Sequence, residues 1–425
     1  DVYKRQLLLL GVVLGAINLG QNLHFAVNET LLDVGVFRDA GAAFINGDPL
    51  YEGFPTRSGF AFIYPPFAAL LFVPLTWVPE VAMDIMWNCS IIAALFGIIA
   101  MACHRLGLRP WWAWAAALTG FATCLDTVYM NLYYGQINVF LVFLVAADVL
   151  GYTPKAIRGL GIGIAAGIKL TPAAYAVIFL ARKDWWSVAR SAGFFLLTAL
   201  IGFAFRPRES LYFWTQEFFE TDRGGDIHYP PNQGLGGMLS RGLVDVGVVD
   251  KLSPVFLLVF AAATIFIAFR LEERGRSVEA LLVTVLGISL GGPFAVSHHW
   301  AGIVLVLPLI FAVREQGLRV LLAVAAGAWI VPGYELVAEE EAQNFEWPLW
   351  FNSNVIGLMS LAIFVAYLVL AIGGRLSAEV LGEDPEQDRG GDAERGADPR
   401  AGHRAARPAT AEIDAEQARA GELNG

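Results

Sequence analysis

Runs of about 20 mostly apolar residues recur along nearly the whole chain, and that is the length a helix needs to cross a bilayer. They fall at approximately 6–27, 60–79, 81–103, 110–127, 131–150, 159–181, 187–205, 252–270, 279–297, 299–313, 318–335 and 350–373. Backbone groups in hydrocarbon must bond within their own segment, so such runs are helices. The count is twelve, with one or two open because 279–313 can be divided differently. Charged residues make up 16% of the chain, against about 25% in water-soluble domains. The expected fold is an all-α integral membrane protein, a polytopic bundle of about twelve transmembrane helices over residues 7–375.

The formal charge of −10 does not describe a binding face, because residues 382–425 hold eleven acidic residues against six arginines. That stretch has almost no aliphatics and cannot offset its ordering entropy, so 376–425 is expected to be a disordered cytoplasmic tail. Nothing is basic enough to hold nucleic acid. Residues 1–6, DVYKRQ, have no structural logic of their own and are set aside as a candidate non-native scar. Apolar character then continues to Val27 without a small-residue cleavage site, which favours a retained helix over a signal peptide. Cys89, Cys103 and Cys124 lie in or beside apolar runs without metal-ligand spacing, and are expected to pack in the core. Basic residues in short loops mark the cytoplasmic side. Arg182-Lys183, Arg270/Arg274/Arg276 and Arg314/Arg319 fall there with both termini, leaving 31–66, 206–251 and the acidic 336–349 outside. Two basic loops dissent: 104–109 and 155–158 come out external under this count.

The polar stretch 31–66 is where chemistry is expected. Apolar spacing predicts a helix over Val34–Ile45, stopped by Gly47-Asp48-Pro49. Asp33, at its start, reads either as a helix N-cap or as a general base at the membrane surface. Asp39 and Asp48 fit a solvated face and a turn. Gln136 and Asn138 would either bond neighbouring helices or contact a polar substrate. Lys169, inside an apolar run and three residues before Pro172, would pair with Asp148 or Asp126 or bind a phosphate. Phe213, Trp214, Phe218 and Phe219 have helical spacing and predict a second interfacial helix. Asn232 and Gln233, followed by glycines, could reach a sugar, and Arg241 a phosphate or the membrane edge. Adjacent His298 and His299 cannot share a helix face, which favours hydrogen bonding in an outer cavity over a metal site.

Taken in order, these pieces resemble glycosyltransferase family 87, the polyprenyl-phosphate-mannose-dependent α-mannosyltransferases of the GT-C superfamily. The resemblance runs over roughly 10–375. Its segments are Asp33-Val34-Gly35-Val36-Phe37, Gly47-Asp48-Pro49-Leu50-Tyr51, Tyr64-Pro65-Pro66, Gly135 to Asn138, Lys169 to Pro172, Asn232-Gln233 and His298-His299. Departures are Phe37 for the usual Tyr, Gly234-Leu235 for Ser-Leu, and Gly292-Pro293-Phe294-Ala295-Val296 for S-P-x-S-W. The resemblance implies a GT-C-type bundle with Asp33 as base. An acceptor hydroxyl would attack the anomeric carbon with inversion while polyprenyl phosphate leaves toward Lys169 or Arg241. It implies a polyprenyl-phosphate sugar as donor, a glycolipid or envelope glycan as acceptor, no nucleotide or metal cofactor, and an outward-facing site in a bacterial plasma membrane. Tyr64, Gln136, Asn138, Asn232, Gln233, His298 and His299 would contact substrate. A secondary transporter, or a transferase using another polyprenyl-phosphate sugar such as arabinose, is the competing reading.

Overall fold

Prolines and glycines decide where the apolar runs break. The computed structural model describes residues 2–219, 225–331 and 346–377. There the regular secondary structure is helical, apart from one isolated antiparallel bridge, Asn232 to Val296. The first half comprises α1 (Val2–Asn28), α2 (Leu32–Asn46), α3 (Pro66–Phe72), α4 (Glu80–Arg105), α5 (Trp111–Ala122), α6 (Asp126–Tyr134), α7 (Asn138–Val149), α8 (Leu160–Ile168) and α9 (Ala176–Ala181). The second comprises α10 (Trp185–Phe205), α11 (Pro207–Thr215), α12 (Leu235–Ser240), α13 (Val246–Glu272), α14 (Ser277–Gly291), α15 (Val306–Ala312), α16 (Gln316–Ala328), α17 (Leu349–Ser353) and α18 (Val355–Ile372). The tail from 378 and most of the acidic 336–349 loop lie outside the described residues, as does residue 1.

Among the described residues, five helices are long and apolar enough to cross a membrane: α1, α4, α10, α13 and α18. The chain is an integral membrane protein, but not one of twelve straight helices. The run at 60–79 becomes the seven-residue α3 and a five-residue 3-10 turn at Val73–Trp77, too short for about 30 Å of hydrocarbon. Pro65, Pro66, Pro74 and Pro79 punctuate it. The run at 131–150 belongs to α6 and α7, which meet at 119°. The run at 159–181 is split into α8, a 3-10 turn at Thr171–Tyr175 and α9, with Lys169 extended at the break.

Those breaks correct the sidedness of the two dissenting loops. Lys4 donates to the Arg109 carbonyl, and His104 Nδ1 bonds the Tyr152 hydroxyl at 2.6 Å. Arg190 reaches the Arg158 carbonyl, and Arg182 pairs with Glu272 at 2.7 Å. Arg274 donates to the Leu376 carbonyl, and Arg276 bonds Glu315 at 2.6 Å. These contacts gather every short basic loop at one end of the bundle, 104–109 and 155–158 included. The twelve-helix count put them opposite because it treated 60–79 as a crossing.

The other end is built from 31–66, 206–219, 225–245 and 349–354. Arg206 donates to the carbonyls of Ala43, Phe44 and Asp48, closing the C-terminus of α2 from another segment. The expected second interfacial helix is α11, nine residues long, with Phe213 buried and Phe219 exposed beyond its end. Of the cysteines, Cys103 is buried as expected, whereas Cys89 is exposed on α4.

Candidate active site

Asp33 stands in the first turn of α2, where a carboxylate is favoured by the helix dipole. It is not the N-cap. That position is Leu31, whose own side chain makes no capping bond, while its backbone N–H donates to Asp84 Oδ2 at 3.4 Å. Asp33 Oδ2 instead accepts from Gln136 Nε2 at 2.7 Å. The contact depends on a glycine. Gly135 ends α6 at φ 68°, and a Cβ there would lie 2.9 Å from Val34 Cγ1. Only glycine permits both the left-handed turn and the approach to α2.

From Gln136 the bonding continues inward. Its Oε1 accepts from Asn138 Nδ2 at 3.3 Å, and Asn138 Oδ1 accepts from Lys169 Nζ at 3.0 Å. Lys169 therefore pairs with neither acid proposed for it: Asp148 accepts from the Ile162 backbone and Asp126 from Ser297. Its ammonium lies 5.9 Å from the centre of the Tyr64 ring. Asp33 and Lys169 are joined through two amides and form no direct ion pair.

Both line one cavity of about 370 Å³, which Tyr64, Tyr134, Gln136, Ser297, His298 and His299 also line. The histidine rings are perpendicular, with centroids 4.7 Å apart. The Asn131 amide holds the His298 carbonyl at 3.0 Å. Burial pushes the Asp33 carboxyl up to about 6, while the Gln136 bond and the Lys169 charge pull it down. A group poised there is ionised at neutral pH yet basic enough to take a proton.

Four expected contacts do not line the cavity: Asn138 links Gln136 to Lys169 from behind it, and three more are elsewhere. Arg241 is fully buried, bonding Asn354 Oδ1 and the carbonyls of Tyr229 and Asn232. Asn232 is spent on Ile227, Pro293, Gly234 and Ala295, and Gln233 on Pro230, Ser353 and Gly357. These three side chains brace the cavity wall and do not line it. Their carbonyl-rich surroundings need donors, which a linear motif does not reveal. Conversely, Tyr134, Tyr229 and Phe294 line the cavity without having been singled out as contacts. Tyr134, beside Gly135-Gln136, was within reach of a sequence reading. Two departing positions, Phe37 and Val296, the latter where the family pattern has Trp, also line it.

The model of glycosyltransferase family 87 matches residues 62–297. That is more than half of the 425-residue chain. The chain belongs to glycosyltransferase family 87. Within it, the chain is 30% identical over 326 residues to a polyprenol-phosphate-mannose-dependent α-(1-2)-phosphatidylinositol mannoside mannosyltransferase of Mycolicibacterium smegmatis, covering 70% of this chain and 73% of that one. It is 31% identical over 247 residues to the phosphatidylinositol pentamannoside mannosyltransferase of the same organism, covering 57% and 59%. Among solved structures, ArnT from Cupriavidus metallidurans bound to undecaprenyl phosphate aligns at TM-score 0.37 and 17% identity over 86% of this chain and 78% of that one. Family 87 membership makes this chain a glycosyltransferase and removes the transporter reading.

Proposed function

We infer that this family 87 protein moves mannose from a polyprenyl-phosphate donor to a hydroxyl of a membrane-anchored glycolipid or envelope glycan, on the outer face of a bacterial plasma membrane. The observation that carries the reading is the Asp33–Gln136–Asn138–Lys169 chain along one cavity. Asp33 takes the acceptor proton as the acceptor oxygen bonds the anomeric carbon. The bond from that carbon to the phosphate oxygen breaks, and polyprenyl phosphate departs with the electron pair. A single displacement inverts the centre. The phosphodiester gains a negative charge on becoming a monoester, and Lys169 is the cation that meets it. An ion pair with Asp33 would have blunted both groups, and the amide spacer prevents that. His298, His299 and Tyr64 supply donors and a ring face to sugar hydroxyls. The carrier specified in the names of its relatives, polyprenol phosphate, fits a site at the membrane end of a helix bundle. Outward orientation follows from the basic loops gathered at the opposite end.

The test is transfer of labelled mannose from polyprenyl-phosphate mannose to membrane glycolipids, wild type beside Asp33→Asn at equal expression. Transfer that the variant abolishes supports donor and base together. Transfer from polyprenyl-phosphate arabinose but not mannose would replace the sugar and keep the chemistry.

A further inference from the structure

A second cavity lies across α6 from the first. It measures about 410 Å³ and lies between the end of α1 and the residues Thr123, Tyr129 and Tyr133. From α1 it takes Asn18, Gln21, Asn22, His24, Phe25 and Asn28, with Glu29 just beyond its end, and this clustering is anomalous in a helix otherwise apolar enough to cross a membrane. Polar side chains in such a helix are costly, and they face a functional cavity by default. Close packing below the groove accounts for its shape. A Cβ on Gly120 would fall 1.8 Å from the Gly11 carbonyl oxygen, so α1 and α5 touch backbone to backbone there. Above that contact the helices are separated by amides. Asn18 Nδ2 bonds Thr123 Oγ1 at 2.8 Å, and Asn22 Nδ2 bonds the Asn18 carbonyl at 2.8 Å. Asn22 is 9% exposed, and no described residue donates to its side-chain oxygen.

The aromatic wall is equally specific. Tyr133 stacks on Phe25 with centroids 4.9 Å apart, and Tyr129 stacks on Tyr133 at 5.9 Å. Tyr129 and Tyr133 are four apart on α6 and form one stripe. Met130 and Tyr134, one residue on from each, form the adjacent stripe and line the Asp33 cavity. The rings of Tyr133 and Tyr134 are 5.0 Å apart. One helix thus shows a tyrosine to each cavity.

We propose that this groove binds the non-reacting sugars of the acceptor glycolipid, holding its headgroup across α6 while one hydroxyl reaches Asp33. The proposal rests on the reading of the protein as a glycolipid transferase. The chemistry favours a neutral, hydroxyl-rich ligand. Amides and a histidine donate and accept, ring faces take the sugar's C–H surface, and among the described residues no Lys or Arg lines the groove to hold a phosphate. A polyprenyl chain would leave those amides unsatisfied.

Gln21 and Tyr129, both exposed, are the positions to change. In nanodiscs supplied with polyprenyl-phosphate mannose, KM is measured for phosphatidylinositol dimannoside and for hexyl mannoside, which has no further sugars. Gln21→Ala and Tyr129→Ala should each raise the ratio of the two KM values by about tenfold, the loss of one hydrogen bond or ring contact. A wild-type ratio in both variants overturns the groove. Thermal unfolding with added phosphatidylinositol dimannoside separates this from the reaction itself. If wild type transfers no mannose but is stabilised by the dimannoside, and both variants lose that stabilisation, the groove stands and the proposed reaction falls. Absence of stabilisation in wild type overturns the groove even where transfer succeeds.

Discussion

At Asp33, burial and its opponents set a titration that activity should follow. The carboxyl, pushed up to about 6, is protonated below that pH and cannot accept a proton. The rate should therefore fall about tenfold per pH unit below 6 and level off above it, as kcat against pH would show. Gln136 bonds the charged form, so Gln136→Leu should move the limb to higher pH besides lowering kcat. A limb that stays in place would mean the bond does not hold the ionised state. Asp33→Asn removes the proposed base and should cost about 10²–10⁴-fold. Lys169→Gln should lower kcat by about 10²-fold or more, in line with losing one preorganised charge partner. Lys169 and Gln136 were legible in the sequence as polar groups in or beside apolar runs, and Asp33 as a carboxylate opening an amphipathic helix between two such runs. Arg241 was not. A lone arginine after a glycine-rich loop looks the same whether it meets a phosphate or, as here, Asn354 and two backbone carbonyls.

At the scale of elements, breaks in helices matter more than the helices. The helix predicted over Val34–Ile45 runs from Leu32 to Asn46 and ends at Gly47 with φ 79°, so amphipathic spacing and a stop signal were enough. What spacing cannot give is the meeting of α2 with the α6–α7 bend, because that depends on a missing side chain. Gly135→Val should therefore separate Gln136 from Asp33. Transfer should drop toward that of Gln136→Leu, with the pH limb displaced the same way, and an unchanged limb would refute the link. A further consequence concerns Arg206. It satisfies carbonyls at the end of α2, so Arg206→Met should expose 43–48 to faster hydrogen exchange while leaving α4 protected. Apolar run length overstated the number of spans for a physical reason. A half-helix capped by prolines is as apolar as a full one, and hydropathy does not register where it turns back.

Across the whole molecule, the basic loops lie at one end and the Asp33 cavity at the other, and the proposed orientation can be tested from that polarity. Lys155→Cys should resist a membrane-impermeant thiol reagent in intact cells, whereas Arg57→Cys should react. The twelve-helix count predicts that both react. At the basic end, Arg276 is 3% exposed and bonds both Glu279 and Glu315. Glu279 also accepts from the Tyr367 hydroxyl at 2.8 Å, and Glu315 from Ser377. Arg276→Leu strands two carboxylates and should lower stability by about 3–5 kcal/mol, seen as earlier thermal unfolding in detergent. The short elements around the site have one more consequence, and it concerns the surrounding lipid. Where α3 stops after seven residues with Leu71 exposed on it, the protein offers lipid at the Asp33 end a thin place beside the full-length α10. Lipid matches the hydrophobic height of its neighbour at a cost of fractions of a kcal/mol per Å. Headgroups there should dip inward, so that a carrier phosphate sinks to the level of Lys169 without its chain leaving the hydrocarbon. Bilayer thickness then becomes a variable of catalysis, and turnover in nanodiscs should decline as the acyl chains are lengthened.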